Sequence, residues 1–258
     1  MKQRIYRAFV ELSNNPFQSK LLKKFAQSKL SKPIIPSFYK TFQINLEEAE
    51  KNIGEYKSLH EFFIRRLKRE VRPINQQLTT VVSPVDAKVA AFGDIDQEQN
   101  FYVKEQYYSL NELLGSKQKA EEFQRGSFLI LYLSPRDYHR IHSPLDATIN
   151  QQQTLGGNSY PVNDAGLKYG KRPLSRNYRV ITELEDDGRK CLVIKVGAMN
   201  INTIEVTHSE QHIKRGEELG YFSFGSTVIL LFEENFVTFD DVKVNQFIQM
   251  GQPIAFKK

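Results

Sequence analysis

From about residue 78 onward, the apolar residues of this chain come in short runs, several of them rich in Val, Ile and Phe. These runs are Thr79–Val82, Lys88–Phe92, Phe128–Leu133, Thr148–Asn150, Tyr178–Glu183, Leu192–Val196, Asn202–Val206, Ser226–Phe232 and Phe236–Thr238, with Gly, Pro, Asp and Asn between them. Stretches of this kind read as strands. Branched and aromatic side chains pack well on a pleated surface, and the intervening residues turn the chain. Many short strands in succession predict an antiparallel sandwich or a barrel-like body. Two helical stretches are expected to interrupt it, Ser109–Leu114 and Lys117–Phe123.

The first 75 residues follow another period. Ile5, Tyr6, Phe9 and Val10 recur at helical spacing, and so do Leu21, Leu22, Phe25 and Ala26, with Lys20, Lys23, Lys24 and Lys29 between them. Pro33 and Pro36 are expected to stop that second helix. A third is predicted to start at Ser58, where Glu61 completes a capping-box pattern, and to run through Leu67. The expected class is therefore α+β, with amphipathic helices of residues 1–75 set on a β-rich body of residues 76–258. A chain of 258 residues has enough length for one good-sized core plus such an appendage.

Charge separates the same two parts. Residues 1–72 carry 16 Lys and Arg against 7 Asp and Glu, whereas residues 73–258 carry 20 against 23. A basic head on a mildly acidic body fits an anionic partner, either nucleic acid or anionic lipid, and fits a solvated basic face equally well. The longest apolar runs, Phe128–Leu133 and Val228–Phe232, fall far short of the roughly 20 residues that cross a bilayer. The basic start at Met1 lacks the apolar stretch of a secretory signal. A single cysteine, Cys191, rules out an internal disulfide and fits a reducing compartment.

Three segments hold side chains capable of chemistry: Ser83-Pro84-Val85-Asp86, Tyr138-His139-Arg140-Ile141-His142-Ser143-Pro144, and Phe224-Gly225-Ser226-Thr227. A serine hydroxyl is a weak nucleophile until a base takes its proton. Histidine is the usual base, and a carboxylate orients it. A glycine before the serine lets the peptide bond be approached closely. By residue type alone, two readings stay open: a Ser-His-Asp hydrolase, and a serine that attacks the carbonyl preceding it. His139 and His142 lack the accompanying ligands of a metal site, so no metal is expected.

Taken together and in this order, the three segments resemble the phosphatidylserine decarboxylases. So do Phe62-Phe63-Ile64-Arg65-Arg66-Leu67-Lys68 leading to Arg72-Pro73-Ile74, and Val196-Gly197-Ala198-Met199-Asn200. The resemblance runs from about residue 58 to 232, while Met1 to Lys57 is a looser match to a subset of bacterial members. It implies a self-cleaving proenzyme in which Asp86 and His142 form the charge relay that activates Ser226. Ser226 would then attack the Gly225 carbonyl, and elimination would leave a β chain of residues 1–225 and an α chain of residues 226–258. Ser226 would become a covalent pyruvoyl cofactor that takes the amine of phosphatidylserine as a Schiff base. The products would be phosphatidylethanolamine and CO2, with His139 assisting decarboxylation or protonation.

The resemblance further implies a heterodimer of the chain's own two products, itself compatible with a dimer. It also implies a peripheral location on the cytoplasmic face of a cell membrane, and no role for nucleic acid. Lys168, Lys171, Arg172 and Arg176 offer charge for the anionic headgroup. Ala87 and Ala147 stand where many relatives have glycine, a change that would be costly at positive φ.

Overall fold

A computed structural model describes residues 16–198, 204–223 and 226–258. The helix expected around Ile5–Val10 lies outside the described residues, as do Met199, Asn200, Asn202, Phe224 and Gly225. In chain order the strands begin with β1 (Thr80–Val82), β2 (Ala87–Asp94), β3 (Asn100–Val103), β4 (Gln106–Ser109), β5 (Ser127–Leu133), β6 (Arg140–His142), β7 (Ala147–Leu155) and β8 (Arg179–Asp186). They continue with β9 (Arg189–Gly197), β10 (Ile204–Val206), β11 (His212–Ile213), β12 (Glu218–Phe222), β13 (Ser226–Phe232), β14 (Val237–Phe239), β15 (Phe247–Ile248) and β16 (Pro253–Lys257). The helices are α1 (Pro16–Gln27), α2 (Ile35–Phe42), α3 (Leu59–Phe63), α4 (Leu110–Leu114), α5 (Lys117–Glu122), α6 (Asp164–Tyr169) and α7 (Pro173–Arg176).

An eight-stranded antiparallel sheet in the order β11-β7-β8-β9-β13-β5-β2-β15 forms the centre. Its two faces explain why β13 reads as one continuous apolar run. Val228, Leu230 and Phe232 enter one core, and Ile229 and Leu231 enter another on the opposite face. A strand buried on both sides loses the polar alternation of a half-exposed one. The first core is closed by two small sheets, β1-β16-β14 and β10-β12-β6, which contribute Val81, Ile254, Ile141, Leu219 and Phe222. The second is covered by α4, α5 and the β3–β4 hairpin through Leu110, Leu113, Leu114, Ala120, Phe101 and Tyr108. The class is α+β as expected, and the sheets do not close into a barrel among the described residues.

The head builds its own small core from Ile35, Ile44, Tyr56, Leu59 and Phe62. Two expectations are corrected there. Pro36 does not end a helix but occupies the first turn of α2, where its missing N–H costs nothing. In the third helix the Glu61 N–H donates to Ser58 Oγ, but the Glu61 carboxylate accepts from the Lys57 N–H instead of completing the capping box, and the helix ends at Phe63 rather than Leu67. Beyond it the chain is drawn alongside residues 48–50, with Lys68 N–H donating to the Glu48 carbonyl and Glu50 N–H to that of Arg66. Those bonds replace the helical ones that residues 64–67 would have made.

Candidate active site

Two of the motifs turn out to be structural partners. The Val82 N–H donates to the Pro144 carbonyl, and the His142 N–H donates to that of Pro84. Each segment carries the same local turn: Ser83 Oγ donates to the Val85 carbonyl and Ser143 Oγ to the Leu145 carbonyl, both at 2.7 Å. A serine followed by proline favours such a turn because the hydroxyl bonds the chain ahead while the ring fixes φ. The repeated pattern thus brings the segments of Asp86 and His142 together, at the start of β2 and the end of β6. Ala87 and Ala147 begin strands without positive φ, so alanine costs nothing at either place.

Asp86 is buried and its carboxylate is fully engaged. Arg72 Nε donates to both oxygens at 2.9 and 3.0 Å, Arg72 Nη2 donates at 2.6 Å, and the Met250 N–H donates at 2.8 Å. Arg72 Nη2 also reaches Glu48 at 2.8 Å. Burial disfavours the charge on Arg72, but the two carboxylates outweigh it and hold its pKa above the usual value. Arg72, at the end of the head, is a site residue that the motifs did not assign a role.

The histidines lie around β6, both buried. His142 Nδ1 lies 2.8 Å from the Gly216 carbonyl, and Nε2 lies 3.3 Å from the Tyr138 hydroxyl. His139 Nδ1 lies 2.8 Å from the Asp137 carbonyl, and its Nε2 has no hydrogen-bond partner. A carbonyl only accepts, so Nδ1 carries the proton in each ring and Nε2 is left as the basic nitrogen. Burial lowers the pKa of both, in His139 to about 3, so each imidazole is neutral at neutral pH. The Phe63 ring covers His139 with centroids 4.0 Å apart.

Ser226 opens β13, paired with Leu133 on one side and Gly197 on the other. It is fully buried, and its Oγ has no hydrogen-bond partner among the described residues. The strand register puts it on the face of Val228 and Leu230. The Phe222 N–H, four residues before Ser226 in the sequence, donates to the His139 carbonyl. Among the described residues, neither imidazole hydrogen-bonds Asp86 or Ser226, so the direct contacts of a relay are not made. The same sheet face carries a fully buried amine, Lys195, which donates to Thr182 Oγ1 at 2.5 Å. Burial lowers its pKa to about 7. The basic run expected to serve a headgroup is partly neutralised, with Lys168 paired to Glu105 at 2.6 Å and Arg172 to Glu112 at 2.7 Å.

A family model described as phosphatidylserine decarboxylase matches residues 59–256, a span that holds all three motifs, the Arg72 grip and the central strand. A protein of Anoxybacillus flavithermus named phosphatidylserine decarboxylase proenzyme is 51% identical over 253 residues, which cover 98% of this chain and 96% of that one. One of Bacillus thuringiensis with the same name is 46% identical over 256 residues, covering 99% and 98%. Since these matches extend through the head as well as the body, the chain as a whole belongs to the phosphatidylserine decarboxylase family.

Proposed function

We propose that this chain is a self-processing proenzyme that decarboxylates phosphatidylserine to phosphatidylethanolamine. The observation that carries the reading is Ser226, whose buried hydroxyl, at the mouth of the central strand, lacks any hydrogen-bond partner among the described residues. A buried hydroxyl left unpaired costs about 1–3 kcal/mol; Thr227 Oγ1 is unpaired in the same way, and what singles out Ser226 is its place directly after Gly225 in the family motif. A site that converts this hydroxyl into a ketone has reason to keep it.

His142 takes the Ser226 proton at Nε2, and its Nδ1–H stays on the Gly216 carbonyl. Asp86 favours the imidazolium through its field and not by contact, since Arg72 holds the carboxylate. Ser226 Oγ bonds to the Gly225 carbonyl carbon, the peptide C–N bond breaks, and the Ser226 nitrogen takes up a proton. Loss of the Ser226 Cα proton then breaks the Cβ–O bond and releases Gly225 as a carboxylate. The remaining dehydroalanine tautomerises, and water displaces ammonia to leave a pyruvoyl group on residues 226–258. That group would supply an electron sink for the pair left on the substrate's α-carbon when CO2 departs, a role otherwise filled by a separate cofactor. The unprotonated Nε2 of His139 assists the decarboxylation or protonation step as a hydrogen-bond acceptor, and the Phe63 ring covers the imidazole.

The head, residues 1–75, serves as the membrane contact and residues 76–258 as the catalytic unit. Leu21 and Phe25 of α1 and Leu30 and Ile34 of the 3-10 turn after it (Lys29–Ile34) are exposed beside Lys24, Lys29 and Lys32, a surface suited to peripheral contact with anionic lipid. No helix among the described residues is long and apolar enough to cross a membrane.

Denaturing electrophoresis with intact-mass analysis tests the reading. Two chains split after Gly225 are expected, the smaller with a blocked N-terminus, and Ser226→Ala should give a single uncut chain without activity. A folded wild-type protein that stays whole and releases no CO2 from phosphatidylserine would overturn it.

A further inference from the structure

We propose that Arg65 binds the phosphodiester of the substrate, an inference that rests on the decarboxylase reading. Arg65 follows α3 and is 5% exposed. Its Nη2 donates to the carbonyls of Arg136 at 2.8 Å and Asp137 at 3.3 Å, while Nε and Nη1 have no hydrogen-bond partner among the described residues. Its guanidinium lies 5.6 Å from the Phe62 ring, and no carboxylate among the described residues forms an ion pair with it.

The other buried arginines are satisfied. Arg72 has Asp86 and Glu48, and Arg140 has both oxygens of Glu218 at 2.8 Å. Arg179 has no carboxylate, yet each of its three nitrogens donates to a carbonyl. Arg65 alone of the four leaves two nitrogens unpaired. A guanidinium stays charged inside a protein, and an uncompensated buried charge costs several kcal/mol. Such an arrangement is expected where an anion completes the site.

The location fits the substrate. The Asp137 carbonyl that receives Arg65 Nη2 also receives His139 Nδ1, so cation and imidazole share one acceptor. Arg65 separates two cavities. One, of about 190 Å³, is walled by Arg72, Asp86, Arg136 and Tyr138, and the other, of about 160 Å³, by Lys51, Tyr56, Arg66 and Arg140. Glu50 and Glu61 also line the second cavity, where Glu61 is held by Lys51 and Arg140 by Glu218, and in the first the acids are held by Arg72 and Arg136, so Arg65 is the cation that both cavities share without a carboxylate of its own among the described residues.

The substrate offers two anions, and the chemistry chooses between them. Its carboxylate departs as neutral CO2, so a strong cation on that group would stabilise the ground state against the reaction. The phosphodiester keeps its charge from start to finish. Binding it lowers KM without opposing turnover.

The test uses the full-length chain carrying Ser226→Ala, which keeps the binding site independent of catalysis. Glycerophosphoserine should raise its thermal midpoint, glycerophosphocholine should do so less, and adding Arg65→Met should abolish the glycerophosphoserine shift while Arg65→Lys keeps part of it. In the self-processing chain, Arg65→Met should raise KM for dispersed phosphatidylserine by about tenfold or more, with a smaller change in kcat. Equal midpoint shifts with and without Arg65→Met would overturn the assignment. So would an Arg65-dependent shift by inorganic phosphate with none by glycerophosphoserine, since the site would then take a free anion. Should Arg65→Met fail to fold, Arg65→Lys decides by the same comparison, a wild-type KM and a wild-type shift sinking the idea. A wild-type chain that neither cuts nor decarboxylates defeats the decarboxylase reading, whereas the binding arm fails only if Arg65 is misassigned.

Discussion

Asp86 gives its whole carboxylate to Arg72 and the Met250 amide, which leaves no lone pair directed at an imidazole. Its influence on His142 is therefore electrostatic, and Arg72 is the residue that fixes where that charge sits. Removing one partner of a buried pair strands the other, so Arg72→Gln should lower unfolding free energy by about 3–5 kcal/mol in urea titration and slow self-cleavage. Lys195 poses the opposite case, a buried amine with a hydroxyl as partner and no acid. Its folded pKa of about 7 lies below the 10.5 of a free lysine, so the unfolded chain keeps its proton where the folded chain has lost it. Stability from this group is fully present above about 10.5 and is lost as pH falls toward 7. Lys195→Met should accordingly raise the thermal midpoint most at pH 7 and least near pH 10. A lower midpoint at pH 7 would give the amine a structural value that its surroundings do not reveal.

At the scale of elements, the head presents Leu30 at 77% exposure and Leu21 at 62%, with Phe25 and Ile34 beside them. Each such side chain is worth about 1.5–3 kcal/mol when removed from water. Phe25→Glu with Leu30→Glu should weaken binding to phosphatidylglycerol vesicles by at least about tenfold in a sedimentation assay, and added salt should weaken the wild type too. Strands buried on both faces were legible because their apolar runs are unbroken, and β13 was read residue for residue. β7 was read only as Thr148–Asn150, because Gln151, Gln152 and Gln153 carry no apolar signal although they pair with β8. Short strands such as β6, β12 and β15 exist through their partners and not through their own composition. The site divides in the same way. Ser226, Asp86 and the two histidines stand in recognisable segments. The partners that fix their protons, Arg72 at 14 positions from Asp86 and Gly216 at 74 from His142, depend on which loops the fold brings together.

Across the whole molecule, β13 lies between β9 and β5 with all seven residues in register on both sides. A cut at its leading edge leaves a fragment of 33 residues gripped by the two neighbouring strands, and β16 ties its far end to β1. The two products should co-purify under native conditions and part only in denaturant. Refolding then changes its molecularity. The Ser226→Ala precursor should regain structure from urea at a rate independent of protein concentration, whereas the matured pair should recover in proportion to it. Before the cut, that central strand is delivered by its own tether. Afterwards it has translational freedom to lose, so dilution alone decides whether an unfolded molecule ever returns, and maturation exchanges a reversible fold for one that lasts only as long as it stays shut.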